Sequence, residues 1–150
     1  MELIDNFLSN EECESLIGYY KYHSYFSWKY ATNKTIPLTI DIRDGKYQSF
    51  KDIQLRVKNI CGNDLTCYEY ELVKWPWLSK HDWHTDYKGT KYFAIVYLND
   101  NYLGGRTVVG DKKVKSKGTL LILKDPDKIS HMVERVYLGT RYTLAMWFEQ

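Results

Sequence analysis

The residues that first suggest chemistry are His84 and Asp86, which flank Thr85 and set an imidazole and a carboxylate two positions apart. On a β-strand such positions point to the same face, so both groups can reach one metal ion. His131 opens an alternating segment about 45 residues later and completes a set of two histidines and one carboxylate. Ligands of this kind hold one face of a metal and leave three positions open, an arrangement suited to ferrous iron and oxygen activation. A bidentate 2-oxo acid fills two of those positions and dioxygen the third. Alone, the His-x-Asp triplet fits a polar turn ahead of a strand equally well; His131 gives it chemical meaning.

Arg141 follows His131 by ten residues and begins the run Arg-Tyr-Thr-Leu-Ala-Met-Trp-Phe. Alternation along a strand puts Arg141, Thr143, Ala145 and Trp147 on one face. An arginine turned inward needs an anion, and its planar fork matches a carboxylate in two parallel hydrogen bonds. It could therefore anchor the far carboxylate of 2-oxoglutarate while the keto-acid end chelates iron. Taken by itself, Arg141 also fits a solvent-facing strand position.

Other elements must bring these side chains together. Ser9-Asn10-Glu11-Glu12 reads as a capping box, and Cys13, Leu16, Ile17 and Tyr20 recur at helical spacing, predicting a helix over residues 9–21. Phe50, Ile53, Val57 and Ile60 step by three and four, with Gly62 just past the end as a cap, which predicts a second helix. Between them, residues 22–44 lose helical period, are rich in Tyr, Thr and Ile, and contain Pro37, predicting irregular or edge-strand structure. Beyond residue 62 the pattern changes to β-branched and aromatic runs separated by turn signals such as Asn99-Asp100 and Gly104-Gly105. Strands are predicted at 65–75, 83–87, 91–98, 106–109, 119–123, 131–136 and 141–148. Two helices and then at least seven short strands, without repeat or linker, predict a single mainly β domain of the α+β class. Its form would be a jelly roll with both helices packed on one sheet, residues 1–62 supporting a core of 63–150.

Composition narrows the function classes. The 150 residues are 44% hydrophobic and carry a net charge of +2, from 21 basic and 19 acidic side chains. No global field therefore marks a nucleic-acid or membrane-surface binder. The N-terminus lacks the basic flank and apolar run of a signal peptide, and no apolar stretch approaches membrane-spanning length. A cytoplasmic protein with no membrane partner is expected. Cys13, Cys61 and Cys67 fit neither a disulfide framework nor a CxxC zinc site and are read as buried thiols. The 14 Tyr and 5 Trp exceed what such a core needs, so some must line a pocket or surface.

With these elements in order, the chain resembles the Fe(II)/2-oxoglutarate-dependent oxygenase superfamily, prolyl 4-hydroxylase-like branch, over residues 65–148. That pattern is His-x-Asp, a distant His, then a basic residue. Tyr97-Leu98-Asn99-Asp100 followed by Gly104-Gly105 resembles the family's Tyr-Leu-Asn strand and Gly-Gly turn, and Gly118 falls at a family turn. Residues 141–147 look like its last core strand, and residues 8–13 like the start of such domains. The resemblance implies a double-stranded β-helix with His84, Asp86 and His131 as iron ligands and Arg141 and Tyr97 as 2-oxoglutarate contacts. Trp147 would border the substrate or metal pocket. It also implies dioxygen as co-substrate, ascorbate as an accessory reductant, and hydroxylation of an unactivated C–H bond with release of succinate and carbon dioxide. A peptidyl proline or similar residue in a peptide or protein is the substrate this branch favours, with a free amino acid or small molecule as the alternative.

Departures from the pattern bear on specificity. Family members carry two tyrosines ahead of the His-x-Asp where this chain has Trp75 and His81. Tryptophan keeps a ring and one N–H donor but cannot accept a hydrogen bond as a phenol does, which weakens one expected cofactor contact. His81 reads as a loop histidine, a substrate contact or, in another register, a competing ligand, its three-residue step from His84 placing the two on opposite strand faces. Arg106 stands where the family has an acidic residue after Gly-Gly. The aromatic stretches 22–30 and 75–83 could form a groove for proline rings or serve as core packing and a lid, and His23 among them reads as structural. Lys112, Lys113, Lys115 and Lys117 admit a nucleic-acid-binding reading, although such a run more commonly forms the solvated face of a hairpin. A non-catalytic metal-binding module is the third class, against which the intact triad and Arg141 stand.

Overall fold

The capping box closes at the start of α1 (Asn10–His23): the Ser9 hydroxyl accepts from the Glu12 N–H and the Glu12 carboxylate from the Ser9 N–H, each at 3.1 Å. In α2 (Gln48–Cys61) the N–H of Gly62 donates to the Lys58 carbonyl and ends the helix, as the sequence predicts. Ile60, expected on the apolar stripe, is exposed in the last turn. The computed structural model describes residues 1–29, 37–43 and 47–150. Tyr30, part of the aromatic stretch, lies outside the described residues.

In chain order the strands are β1 (Glu2–Ile4), β2 (Trp28–Lys29), β3 (Leu38–Asp41), β4 (Thr66–Trp75), β5 (His81–His84), β6 (Tyr92–Tyr97) and β7 (Leu103–Gly104). Then follow β8 (Thr107–Val109), β9 (Lys112–Val114), β10 (Leu120–Lys124), β11 (His131–Val133), β12 (Val136–Leu138) and β13 (Arg141–Glu149). Among the described residues a seven-stranded antiparallel sheet runs β1-β10-β6-β13-β4-β3-β2, and a four-stranded sheet runs β5-β11-β8-β9. A two-stranded antiparallel ladder of β7 and β12 stands apart from both. The fold is thus mainly β with two helices and antiparallel sheets.

Period-two alternation divides the larger sheet into two chemically distinct faces. One face presents Leu72, Val96, Leu120, Leu144, Met146 and Phe148, which join Cys13, Leu16, Tyr20, Phe50, Ile53 and Val57 from the helices in one apolar layer. Each fully buried large apolar side chain contributes roughly 1.5–3 kcal/mol, so this layer holds the fold. The opposite face is thereby free to carry polar groups. There Val73 and Trp75 meet Val133 and Val136, and Ile95 and Tyr97 meet Val114, so the second sheet packs across it.

Several elements differ from their sequence-based bounds. Residues 131–136 are not one strand, because Glu134 donates to the Arg106 carbonyl and Val136 to that of Ser79, sending β11 and β12 into different sheets. The predicted strand 83–87 instead runs from His81 to His84, which leaves Asp86 beyond its end. The region around Pro37 does contribute strands, β2 at the sheet's edge and β3 between β2 and β4, with the proline just ahead of β3 where no ladder donor is required. At Gly104, φ is +71° and a Cβ would fall 2.2 Å from the Arg135 carbonyl oxygen, so only glycine fits this turn. Among the described residues no helix is long and apolar enough to cross a membrane. The three cysteines form no disulfide; Cys13 is buried as read, whereas Cys61 and Cys67 are only half-buried, and burial pushes the pKa of both up to about 11.

Candidate active site

His131 and His84 face each other across the β11–β5 ladder, and Asp86 reaches them from the loop that follows β5. That loop is pinned by the Asp86 N–H, which donates to the Pro126 carbonyl at 3.1 Å. Asp86 Oδ1 lies 3.7 Å from His84 Nε2 and 3.3 Å from His131 Nε2. One donor atom from each residue falls within 4.8 Å of the other two. The expectation that His84 and Asp86 share a strand face is thus corrected: strand pairing places the histidines, and a loop places the carboxylate.

Both imidazoles are held in one tautomer. His84 Nδ1 lies 2.7 Å from the Asp82 carbonyl and His131 Nδ1 lies 2.9 Å from that of Ile129. A carbonyl only accepts, so Nδ1 carries the proton and the Nε2 lone pair turns toward Asp86. Asp86 in turn is oriented by Trp147, whose Nε1–H donates to Oδ2 at 3.1 Å and leaves Oδ1 facing the histidines. Phe93 stacks on His131 with ring centroids 5.8 Å apart and meets Trp147 at 5.1 Å, forming one wall. Burial pulls the pKa of His131 down, but Asp86 and the Ile129 carbonyl favour the protonated ring, which alone can donate to Asp86, and they raise the pKa above the ordinary value. Burial lowers that of His84. Two neutral imidazole nitrogens and one carboxylate oxygen form a donor set that fits a divalent transition metal, which would compete with any proton at His131.

Arg141, at the head of β13, is completely buried. Its guanidinium lies 4.6 Å over the Trp75 ring and 5.7 Å from that of Tyr97. Thr107 Oγ1 accepts from Arg141 Nη2 at 3.0 Å and from the Tyr97 hydroxyl at 2.7 Å. Trp75 Nε1 donates to Thr143 Oγ1 at 3.2 Å. Nε and Nη1 of Arg141 are shielded from solvent and have no hydrogen-bond partner among the described residues. A buried cation with two orphaned donors is costly unless an anion enters. These residues therefore fit a carboxylate-bearing ligand. Burial raises the Tyr97 phenol to about 12 even though Arg141 pulls the other way.

The remaining residues singled out in the sequence fall around these two clusters. His81 is neither a loop histidine nor on the far face from His84; their rings stack with centroids 3.7 Å apart at 21°. The cause is a bulge: His84 pairs with His131 but His81 with Val133, so three steps on β5 face two on β11. Burial, together with the neighbouring histidines, pushes the His81 imidazole down to about 4. Arg106 adds little free charge at the mouth, since Glu134 accepts from its Nε and Nη2 at 2.7 and 3.1 Å. Trp75 is buried beneath Arg141 instead of lining a groove, whereas Trp77 and Trp83 are exposed. His23 stacks on Tyr19 and meets its carbonyl, a structural arrangement.

Sequence reasoning missed Thr107, the shared acceptor of the anion pocket, and Tyr102, whose buried hydroxyl has no hydrogen bond within 3.5 Å among the described residues and only a long contact to Arg141. Thr107 carried a weak signal, standing beside Gly104-Gly105 at the start of a strand. Glu71 was missed as well. It is 4% exposed, shares the polar face with Ala145 and Asp41, and its carboxyl is pushed up to about 7 by burial. Its inward parity with Val73 and Trp75 was readable from the strand pattern.

Comparison with known proteins assigns the family. A sequence profile described as the 2OG-Fe(II) oxygenase superfamily matches residues 73–149, a span that contains His84, Asp86, His131 and Arg141. No curated protein matches by sequence. Among solved structures, the viral collagen prolyl hydroxylase of Paramecium bursaria Chlorella virus-1, in complex with 2OG, superposes with a TM-score of 0.79 at 20% identity, covering 99% of this chain and 94% of its own. A Pseudomonas putida prolyl-4-hydroxylase gives 0.79 at 16% identity, covering 99% and 91%. A Trichoplax adhaerens prolyl hydroxylase, in complex with a hypoxia inducible factor oxygen degradation domain peptide fragment, gives 0.76 at 18%, covering 99% and 82%. At these identities the likeness is one of fold. The profile match spans more than half of the chain, which therefore belongs to the 2OG-Fe(II) oxygenase superfamily, dioxygenases that use ferrous iron, 2-oxoglutarate and molecular oxygen.

Proposed function

We propose that this protein hydroxylates a C–H bond of a peptidyl prolyl or similar residue, turning 2-oxoglutarate into succinate and carbon dioxide. Its two sheets would form a double-stranded β-helix within one domain, residues 1–62 bracing a core of residues 63–150. His84 Nε2, Asp86 Oδ1 and His131 Nε2 would hold iron(II), which supplies the oxygen activation. Arg141, Thr107 and Tyr97 would bind the distal carboxylate of 2-oxoglutarate. Trp147 would keep Asp86 aligned as a ligand, since supporting hydrogen bonds fix the orientation of metal ligands.

The single observation that carries this reading is the buried guanidinium of Arg141, with two donors unmatched among the described residues, on the sheet face that also bears Trp147 against Asp86. A metal-binding module without turnover has no use for such an anion pocket. The nucleic-acid reading loses its support, because Lys113 pairs with Glu134, Lys117 with Glu14, and Lys115 donates to the Tyr102 carbonyl. Peptide over free amino acid rests on the fold shared with prolyl hydroxylases, one of which holds a peptide fragment. The exposed rings of Trp77 and Trp83 offer surfaces on which prolines can stack.

Aerobic incubation with ferrous iron, 2-oxoglutarate and either proline-containing peptides or free amino acids tests the proposal, reading succinate and a gain of one oxygen by mass. Hydroxylated peptide is expected. Product from free amino acids alone would move the substrate to the small-molecule class, and no succinate with any substrate would overturn the hydroxylase reading.

A further inference from the structure

Tyr102 lies in the loop between β6 and β7, 6% exposed, with its ring packed among Val73, Trp75, Val133 and Val136. The ring is firmly seated. A Cβ on Gly105 would stand 3.0 Å from Tyr102 Cε2, and one on Gly139 would stand 3.3 Å from its Cα. Lys115 Nζ sits 4.7 Å over the ring and donates to the Tyr102 carbonyl. The phenol is thus fixed by close glycine contacts and a cation above it, yet its hydroxyl is buried with no hydrogen-bond partner among the described residues.

What lies beside that hydroxyl gives it a use. Burial raises the Tyr102 pKa, while the Arg141 cation and a long contact between the guanidinium and the phenol oxygen work against the rise, which places the two groups side by side. Trp75 ties them together, since it packs with Tyr102 and lies under the guanidinium. Three buried donors in one neighbourhood around Trp75 thus have no hydrogen bond within 3.5 Å among the described residues: Arg141 Nε, Arg141 Nη1 and the Tyr102 hydroxyl. A carboxylate has two oxygens and about four acceptor sites, enough for all three and for Thr107 as neighbour. The Tyr97 hydroxyl, by contrast, donates to Thr107 and has to turn from it to reach the carboxylate.

Resting on the proposed 2-oxoglutarate site, we propose that Tyr102 is a co-substrate-binding residue whose hydroxyl donates to the distal carboxylate of 2-oxoglutarate beside Arg141. It supplies the phenol that Trp75 cannot. It also biases the pocket toward dicarboxylic 2-oxo acids, because a monocarboxylic one would leave the phenol and both guanidinium donors unmatched.

Tyr102→Phe removes one oxygen atom whose contact is a long one to Arg141 and leaves the ring packing intact, which thermal melting verifies. Under anaerobic conditions with iron(II) bound, calorimetric titration with 2-oxoglutarate and, separately, with pyruvate reads the contact directly. We expect about ten-fold weaker 2-oxoglutarate binding, about 1.4 kcal/mol, with pyruvate affinity and melting temperature unchanged. Unaltered 2-oxoglutarate affinity, or equal losses for both acids, would overturn the assignment, the latter marking a purely structural ring. Arg141→Ala separates the two levels. If it weakens 2-oxoglutarate while Tyr102→Phe does not, only the role of Tyr102 falls; if wild-type protein binds no 2-oxoglutarate, both readings fall together.

Discussion

Replacing Thr107 by valine keeps the shape of a buried strand residue and deletes one oxygen, the acceptor shared by the Tyr97 hydroxyl at 2.7 Å and Arg141 Nη2 at 3.0 Å. Two buried donors then lose their partner. Each unsatisfied donor costs about 1–3 kcal/mol, so Thr107→Val should destabilise the protein by roughly 2–6 kcal/mol. For a domain of this size that lowers the melting temperature by roughly 4–24 °C. Thr107→Ser keeps the oxygen and gives up one methyl group, a loss of about 1 kcal/mol. The deficit of the valine variant should shrink in saturating 2-oxoglutarate, whose carboxylate offers new acceptors to both donors. Thermal and denaturant unfolding of the three proteins, with and without 2-oxoglutarate, measures all of this. A valine variant as stable as the serine one would refute the shared-acceptor argument, and a deficit that the ligand leaves unchanged would refute the link to the anion pocket.

Other expectations concern the metal and a buried acid. Trp147→Phe keeps the packing on Phe93 but loses the bond to Asp86 Oδ2, so iron affinity should fall about 10–100-fold, read by anaerobic metal titration; wild-type affinity would remove Trp147 from that role. In the same assay His131→Ala should abolish binding while His81→Ala retains it, and the reverse ranking would make His81 the ligand. Glu71 holds its proton in the folded state up to about pH 7, well above the unfolded value of about 4.3. Between those two values the native state binds more protons than the unfolded chain, so stability falls as pH rises through the window and is level above it. The whole fall is about 3–4 kcal/mol at 1.36 kcal/mol per unit. Glu71→Gln cannot ionise and should flatten the profile from about pH 4.5 to 8, and an unchanged slope would show that Glu71 is not its source.

The sequence was most legible where local rules act alone. The capping box at Ser9, the apolar steps of both helices short of Ile60 and the inward parity of Arg141 and Trp147 depend only on period and end chemistry, and they stand as read. The spacing of His84, Asp86 and His131 identified three residues that do meet, although for partly the wrong reason, since Asp86 is delivered by a loop. The bulge that stacks His81 on His84 arises from unequal steps on two strands about 50 residues apart, which no local pattern encodes. Thr107 and Tyr102 were missed for a similar reason. A threonine in a strand and a tyrosine in a loop are ordinary until the fold sets them against a buried arginine. The split of residues 131–136 into two sheets depends on backbone bonds to Arg106 and Ser79, both distant in sequence.

The central claim is that one pocket joins a metal at His84, Asp86 and His131 to a 2-oxo acid held by Arg141. Anaerobic titration of the purified protein with ferrous iron and 2-oxoglutarate, followed by the visible charge-transfer absorption that a 2-oxo acid gives with ferrous iron, tests it without any substrate. The account predicts that band in the wild-type protein, its loss in His131→Ala, and its displacement to much higher 2-oxoglutarate concentration in Arg141→Ala. Folded wild-type protein that gives no band, or an Arg141→Ala variant that titrates like wild type, would contradict it.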